Sequence, residues 1–169
     1  MYIKTERLEL KPIRQDDLDT LVELLTDDTV KQTYMVPDFA RREEAVPLAM
    51  RIIALSEQEA RHVAGIYLGD ALIGILNETE SADAQIEVGY AVLPRYHNQG
   101  YCTEALRGAV GYLFEKGFRE VLAGAFEENI ASIRVMIKNG MEKLVRREEI
   151  EYRGQIHRCV YYSVKRWDM

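Results

Sequence analysis

The sequence predicts an α/β (α+β) protein with about seven strands in a mixed, mostly antiparallel sheet. Two patterns lead to this prediction. Segments that alternate like strands and segments with helical periodicity follow one another in the order β-α-α-β-β-β-α-β-α-β-β, and glycine turns join several strands as hairpins. The length of 169 residues suits one substantial core, so we expect residues 1–169 to form a single domain.

The composition is that of a globular protein, with 47% apolar and 30% charged residues. The net charge of −6 argues against nucleic acid as a partner; it is compatible with cationic substrates, although a role in solubility is the more general explanation. No stretch of about 18 apolar residues and no apolar leader is present, so we expect a cytoplasmic protein with no membrane partner. Cys102 and Cys159 lack CxxC spacing and a histidine cluster, which predicts free thiols and no metal site.

The first third of the chain predicts one strand and two helices. Leu8 and Leu10 alternate with charged residues, which indicates a strand. Asp16 can cap a helix over residues 17–26. A second helical pattern covers residues 42–60, and we expect a start or a kink at Pro47.

The segment between these two helices, residues 29–39, carries several bulky apolar side chains. It either lines a pocket or packs locally in the core, and the sequence leaves both open.

The middle of the chain predicts an antiparallel meander. The segments HVAGIYL and ALIGILNE flank Gly69 and Asp70, which is the pattern of a hairpin with a tight turn. QIEVGYAVL then alternates as a third strand.

The last part predicts two helices between strands. Residues 103–116 form an apolar stripe that ends at Gly117, and residues 131–139 form a second helix that ends at Gly140. REVLAGAFE is a strand between them, and a hairpin that turns at residues 153–154 closes the chain.

The segment LPRYHNQGYCTEAL, residues 93–106, joins the third meander strand to the helix. Where a strand leads through a short loop into a helix, backbone N–H groups converge and the helix dipole adds positive charge, so anions bind there. Gly100 would let the backbone approach a phosphate closely; alternatively it only permits a turn. Neither a GxxxxGK[ST] nor a GxGxxG motif is present.

The chain resembles the Gcn5-related N-acetyltransferase (GNAT) family, above all the branch that acetylates the N-termini of ribosomal proteins. The segment HNQGYC followed by TEAL is similar to the family's loop pattern [QR]-x-x-G-x-[GA], with His97 and Cys102 as departures. TERLELKPIRQDD, IEVGYAVLP and ENIASIRVMIKNGM extend the likeness along the chain. The resemblance implies a sheet splayed around acetyl-CoA, helices on both faces, and acetyl transfer to a primary amine by direct attack without a metal.

The resemblance also implies which residues form the site. One backbone N–H of the strand, between Tyr90 and Leu93, polarises the thioester carbonyl, or these N–H groups only pair within the sheet. Asn129 binds the pantetheine arm or caps a helix. The implied cofactor-binding residues are Ala91, Val92, Leu93, His97, Asn98, Gln99, Gly100, Tyr101, Cys102, Thr103, Asn129 and Ser132.

Two residues are implied in the chemistry. Glu87 matches the family carboxylate that takes the amine proton directly or through water, although its position in the pattern also fits a solvent-facing strand residue. Met136 stands where many relatives have a tyrosine acid and cannot donate a proton. Ser132, or a water, is then the candidate acid, and a plain surface serine is the alternative.

The remaining expectations concern the identity of the acetyl acceptor and the reactivity of the Cys102 thiol. The acceptor is a protein N-terminal amine or a small amine such as a polyamine or an antibiotic; a non-catalytic acyl-CoA binding module is the alternative, and a homodimer is left open. Cys102 lies at the start of a helix, where the dipole favours a thiolate, so the sequence predicts that it alkylates faster than Cys159; the alternative is that Cys102 is buried against the sheet and unreactive.

Overall fold

Eight strands form one sheet in the computed structural model, which describes residues 1–168. The order across the sheet is β1-β2-β3-β4-β5-β6-β8-β7, and every neighbouring pair is antiparallel except β5 and β6. The strands are β1 (Ile3–Lys4), β2 (Leu8–Lys11), β3 (Val63–Leu68), β4 (Ala71–Ala82), β5 (Gln85–Val92), β6 (Glu120–Phe126), β7 (Glu142–Tyr152) and β8 (Gln155–Lys165).

Helices cover both faces of this sheet, as predicted. Successive strand residues point to opposite faces, and on β5 Val88 and Val92 join one buried cluster while Ala91 joins another. The first cluster packs under α4 and α5, and the second under α1, α2 and α3. The helices are α1 (Leu18–Thr26), α2 (Asp28–Lys31), α3 (Val46–Ser56), α4 (Tyr101–Glu115) and α5 (Ile130–Lys138).

The sheet opens between its two parallel strands. β5 and β6 pair only from Gln85↔Glu120 to Glu87↔Leu122. Beyond that point β5 continues to pair with β4 as far as Val92, while β6 follows β8 as far as Phe126. The two strands therefore diverge after Glu87 and leave a V-shaped gap, which confirms the splayed sheet.

Several element boundaries differ from the sequence prediction. Asp16 does not cap a helix: residues 15–17 form a short 3₁₀ turn, and the buried Asp17 binds Arg14 and the hydroxyl of Tyr67 instead. The predicted count of about seven strands becomes eight because the two-residue β1 pairs with β2. Pro47 is the second residue of α3, so it marks a start rather than a kink.

Residues 29–39 both pack in the core and line a pocket, which are the two alternatives that the sequence left open. Val30 and Val36 are buried in the second cluster, whereas Thr29, Thr33 and Tyr34 line the cleft described below. Within residues 1–168 no helix is long and apolar enough to cross a membrane.

Candidate active site

The connection from β5 to α4 has the backbone of an anion-binding loop. Asn98 and Gly100 adopt left-handed conformations with φ of 58° and 83°, and α4 begins at the next residue, Tyr101. The first helical hydrogen bond runs from the Glu104 N–H to the Gly100 carbonyl at 3.0 Å. The N–H groups of residues 101–103 therefore point out of the helix end, where the dipole is positive.

This loop forms one wall of a cleft of about 490 Å³ that enters the gap between β5 and β6. The other walls are the end of β5, residues 124–125 of β6, the start of α5 and residues 29–34. Arg134 and Lys138 add positive charge on the α5 side. Ten of the predicted cofactor-binding residues line this cleft, namely Ala91, Val92, His97, Asn98, Gly100, Tyr101, Cys102, Thr103, Asn129 and Ser132.

Two predicted residues lie elsewhere. Leu93 is buried in the second cluster, and its N–H donates to the Ile73 carbonyl at 2.9 Å, away from the cleft. Gln99 is exposed, and its side-chain amide donates to the Arg95 carbonyl at 3.0 Å.

The backbone of Val92 faces the gap. Its carbonyl lies 2.9 Å from the Nε2 atom of His97, which stands in the loop. Because the N–H and C=O of one strand residue point to the same edge, the Val92 N–H also points into the gap, opposite to that of Leu93. Of the expected range from Tyr90 to Leu93, the hydrogen bond to Ile73 removes Leu93 as an available donor.

Asn129 caps α5, as one of its two interpretations predicted. Its Oδ1 atom accepts the N–H of Ser132 at 3.1 Å, and its own N–H donates to Phe126 at 2.8 Å. The cap fixes the first turn of α5 where β6 ends, so Ser132 is held in the cleft wall.

The side chain of Tyr90 was not among the predicted site residues. Its hydroxyl crosses from β5 to α5 and lies 2.9 Å from the hydroxyl of Ser132 and 3.3 Å from the Ser132 carbonyl. Burial raises the pKa of Tyr90, so the phenol stays protonated. Met136, where relatives have a tyrosine, is fully buried in the core. The alternation of β5 gave the face of Tyr90 but not its reach to α5.

Glu87 sits where the strands separate, one residue before Val88 and Gly89, which line the cleft. Its side chain is only 16% exposed, so it is not a solvated strand residue. It accepts a hydrogen bond from Thr79 at 3.2 Å and pairs with Arg146 at 3.3 Å.

The environment of Glu87 raises its pKa. Burial is the main cause, and the nearby Glu80 and Glu148 carboxylates act in the same direction. The hydrogen bond from Thr79 and the charge of Arg146 oppose this and do not outweigh it. A carboxylate with a raised pKa is a better proton acceptor, as a general base requires.

The environment of Cys102 favours the alternative of a buried, unreactive thiol. Burial raises the pKa of this thiol to about 12, which favours the thiol over the thiolate. Burial also raises the pKa of Cys159.

We therefore expect neither thiol to alkylate readily in the folded protein. With a pKa of about 12, roughly one Cys102 in 10⁴ is a thiolate at pH 8. Iodoacetamide labelling followed by mass spectrometry should show slow modification of both cysteines, and fast modification of both after unfolding in guanidinium. Labelling of native Cys102 at the unfolded rate would contradict this assignment.

Comparison with known proteins agrees with this geometry. The family described as acetyltransferase (GNAT) domain matches residues 7–142. The uncharacterized N-acetyltransferase YoaA of Bacillus subtilis is 27% identical over 146 residues, which cover 83% of this chain and 82% of that protein. Within residues 1–168 no group of three or more His, Cys, Asp or Glu side chains is placed to hold a metal ion.

Two solved structures show the same fold. A GNAT-family acetyltransferase from Bacillus anthracis superposes with a TM-score of 0.83 at 23% identity over 98% of both chains. The ribosomal-protein acetyltransferase RimL, in complex with coenzyme A, superposes with a TM-score of 0.83 at 18% identity over 98% of both chains.

Proposed function

This chain belongs to the GNAT acetyltransferase family, and from that premise we propose that its cleft binds acetyl-CoA and transfers the acetyl group directly to a primary amine. The observation that carries the proposal is the junction of β5, the left-handed Gly100 and the start of α4 at the mouth of the β5–β6 gap. The loop N–H groups suit a pyrophosphate, and the gap suits the narrow pantetheine arm. Arg134 and Lys138 add positive charge for further phosphate.

Direct transfer requires a proton acceptor, a proton donor and a hydrogen-bond donor from the protein. A carbon–nitrogen bond forms as the carbon–sulfur bond breaks, so one proton must leave the amine and one must reach the sulfur. The carbonyl oxygen gains negative charge in between and needs a hydrogen-bond donor. We assign the donor to the Val92 N–H, which points into the gap beyond Glu87.

Glu87 is the proposed acceptor of the amine proton, directly or through one water. Its position at the apex of the gap, its low exposure and its raised pKa support this role. Because part of the Glu87 side chain remains exposed, the proton can then pass to solvent.

Ser132 is the proposed donor of the proton to sulfur. It lines the cleft, and its hydroxyl is hydrogen-bonded to that of Tyr90 at 2.9 Å. The hydroxyl of Tyr90 stays protonated and orients Ser132 through this hydrogen bond, and once Ser132 has given its proton to sulfur, water in the cleft returns one to it.

We expect Ser132→Ala to lower kcat about tenfold and Tyr90→Phe to lower it less, with the KM for acetyl-CoA unchanged in both. The expected effect is smaller than is typical for a general acid because water can enter the open cleft and replace the hydroxyl. Steady-state kinetics at neutral pH would measure it. If KM rises and kcat does not change, the two hydroxyls serve binding only.

The acceptor is proposed to be an α-amine at a protein N-terminus. Support comes from the resemblance of TERLELKPIRQDD and ENIASIRVMIKNGM to the ribosomal-protein branch, and from the fold shared with RimL. A small amine is the second candidate, for which the net charge of −6 is the supporting observation.

One screen tests the function and the acceptor together. Purified protein and acetyl-CoA are mixed with peptides that begin with Ala, Ser or Met, with polyamines, and with aminoglycosides, and free CoA is followed with a thiol reagent. We expect release with at least one peptide. Release only with small amines would reassign the acceptor, and tight binding without release would indicate an acyl-CoA binding module.

A further inference from the structure

The turn between β1 and β2 holds the first turn of α4 through three side chains, Thr5, Arg7 and Glu104, which we call the N-terminal clamp. Arg7 donates to Glu104 twice, from its Nε at 2.6 Å and from its backbone N–H at 2.7 Å. The Thr5 hydroxyl donates to the same carboxylate at 2.6 Å. Both carboxylate oxygens of Glu104 therefore accept hydrogen bonds from residues that are 97 or more positions away in the sequence.

Arg7 also reaches the loop that contains Gly100. Its NH1 atom donates to the Gln99 carbonyl at 3.1 Å, and its guanidinium lies 4.7 Å from the ring centroid of Tyr101. One side chain therefore contacts the residues on both sides of Gly100. Gly100 and Tyr101 line the cleft, whereas Arg7 lines a separate surface pocket with its neighbours in the turn. Arg7 therefore contacts the loop from outside the cleft.

The charge of Glu104 makes this support necessary. A carboxylate in the first turn of a helix is stabilised by the helix dipole. Glu104, however, lies one turn from the proposed phosphate site, so its charge would repel a bound phosphate. Burial alone would raise the pKa of Glu104, yet the hydrogen bonds from Thr5 and Arg7 outweigh burial and lower it. The carboxylate is therefore charged, and Arg7 balances its charge.

The clamp depends on close packing between the turn and α4. A Cβ atom at Gly108, one turn after Glu104, would lie 2.9 Å from the Thr5 methyl group and 3.1 Å from Ile3. A larger residue there would push the turn away from the helix.

We propose that Arg7 is a positioning residue for the phosphate-binding loop: it fixes the backbone on either side of Gly100 and balances the charge of Glu104, so that the loop N–H groups converge before the cofactor arrives. This inference rests on the proposed function, since it assumes that the loop holds the pyrophosphate of acetyl-CoA. A loop that is already ordered loses less entropy on binding, so its affinity is higher.

The test compares two ligands in three variants. Acetyl-CoA carries the pyrophosphate, whereas S-acetyl-pantetheine carries the same thioester and arm without it. We expect Arg7→Ala to weaken acetyl-CoA binding by about tenfold or more, the cost of ordering about one further loop residue on binding, and to leave acetyl-pantetheine binding unchanged. Arg7→Lys keeps the charge but cannot bridge Glu104 and Gln99, so we expect a smaller loss.

Arg61→Ala is the matched control. Arg61 pairs with Glu78 at 2.7 Å, and their side chains are 46% and 11% exposed. The side chains of Arg7 and Glu104 are similarly exposed, at 43% and 16%. Like Glu104, Glu78 also accepts a hydrogen bond from a backbone N–H, that of His62. The neighbouring His62 packs against Tyr112 and Phe118 at the far end of α4 from the loop, so acetyl-CoA binding should be unchanged. Hydrogen exchange without ligand should be faster at residues 98–103 in Arg7→Ala than in the control.

The outcomes separate the two hypotheses. If the parent protein does not bind acetyl-CoA, the proposed function and this inference both fail. If the parent binds it and Arg7→Ala binds it equally well, only the positioning role fails. Equal weakening for both ligands also overturns that role, because the damage would then extend beyond the phosphate loop.

Discussion

Gly100→Val is expected to remove measurable acetyl-CoA binding while the protein stays folded. Gly100 has φ of 83°, a left-handed conformation that a branched residue adopts only at a cost of about 1–2 kcal/mol. A valine would shift the loop out of this conformation and place its methyl groups where a phosphate must meet the backbone. Losing two charge-assisted hydrogen bonds lowers affinity by more than about 100-fold.

The fold should tolerate this change. Gly100 is exposed, and a Cβ atom there would meet only the terminal NH2 of Arg7, at an ordinary 3.4 Å. Stability loss should therefore be limited to backbone strain. Calorimetric titration with acetyl-CoA measures the binding, and circular dichroism checks the fold.

Gly117→Val is the matched control for strain. Gly117 also has a positive φ, 101°, and follows the end of the same helix, and a Cβ atom at this position would have no neighbour within 4 Å. It stands at the other end of α4, away from the cleft. We expect comparable destabilisation and unchanged acetyl-CoA affinity. A folded Gly100→Val protein that binds acetyl-CoA like this control would refute the phosphate role of the loop.

The order of the elements along the chain and the hairpins were predictable because local chemistry determines them. The Gly69 turn, with φ of 59°, and the Arg153–Gly154 turn, with φ of 53° and 73°, are left-handed positions that the sequence marks with turn residues. The alternating segments around them became β3, β4, β7 and β8. The helix ends at Gly117 and Gly140 follow the same logic.

The misplaced features depend on contacts distant in sequence. Asp16 was the predicted cap, and the hydroxyl of Tyr67, 50 residues from Asp17, instead holds the Asp17 side chain inward. The prediction of a Cys102 thiolate took into account only the dipole of its own helix. The burial that raises the pKa of this thiol comes from the assembled fold.

The candidate site also combines features that are local in sequence with contacts between residues distant in sequence. The loop was predicted from its position between a strand and a helix, whereas Asn129 and Ser132 were implied by the family resemblance; all three line the cleft. The contact between Tyr90 and Ser132 spans 42 residues, and that between Arg7 and Gln99 spans 92. Neither contact leaves a periodic signal, since each arises where separate elements meet.

Glu87→Gln is expected to lower kcat by about 10²-fold or more at neutral pH, with little change in acetyl-CoA affinity. Glutamine keeps the size of the side chain and can still accept the hydrogen bond from Thr79, but it cannot take a proton. The nucleophile must then lose its proton to solvent. Acetyl-CoA affinity should be retained because Glu87 lies at the apex of the gap, whereas the loop holds the phosphates.

The pH dependence gives a second test of the same residue. The base acts when ionised, so kcat of the parent should fall as the pH falls through the pKa of Glu87, which burial places above its usual value. The Gln variant has no such group, so this acid limb should disappear. Its deficit should also shrink at high pH, where more of the amine is already neutral.

Glu80→Gln is the control that separates proton transfer from charge. Glu80 pairs with Glu87 across β4 and β5 and also lies near Arg146, at 3.8 Å, but its side chain is 66% exposed. Removing its charge lowers the negative potential around Arg146 without removing the buried base. We expect kcat within about twofold of the parent, with the acid limb retained and shifted to slightly lower pH because a neighbouring negative charge is gone. Equal rate losses in Glu80→Gln and Glu87→Gln would show that the acidic cluster acts through charge alone, and the assignment of Glu87 as the general base would be wrong.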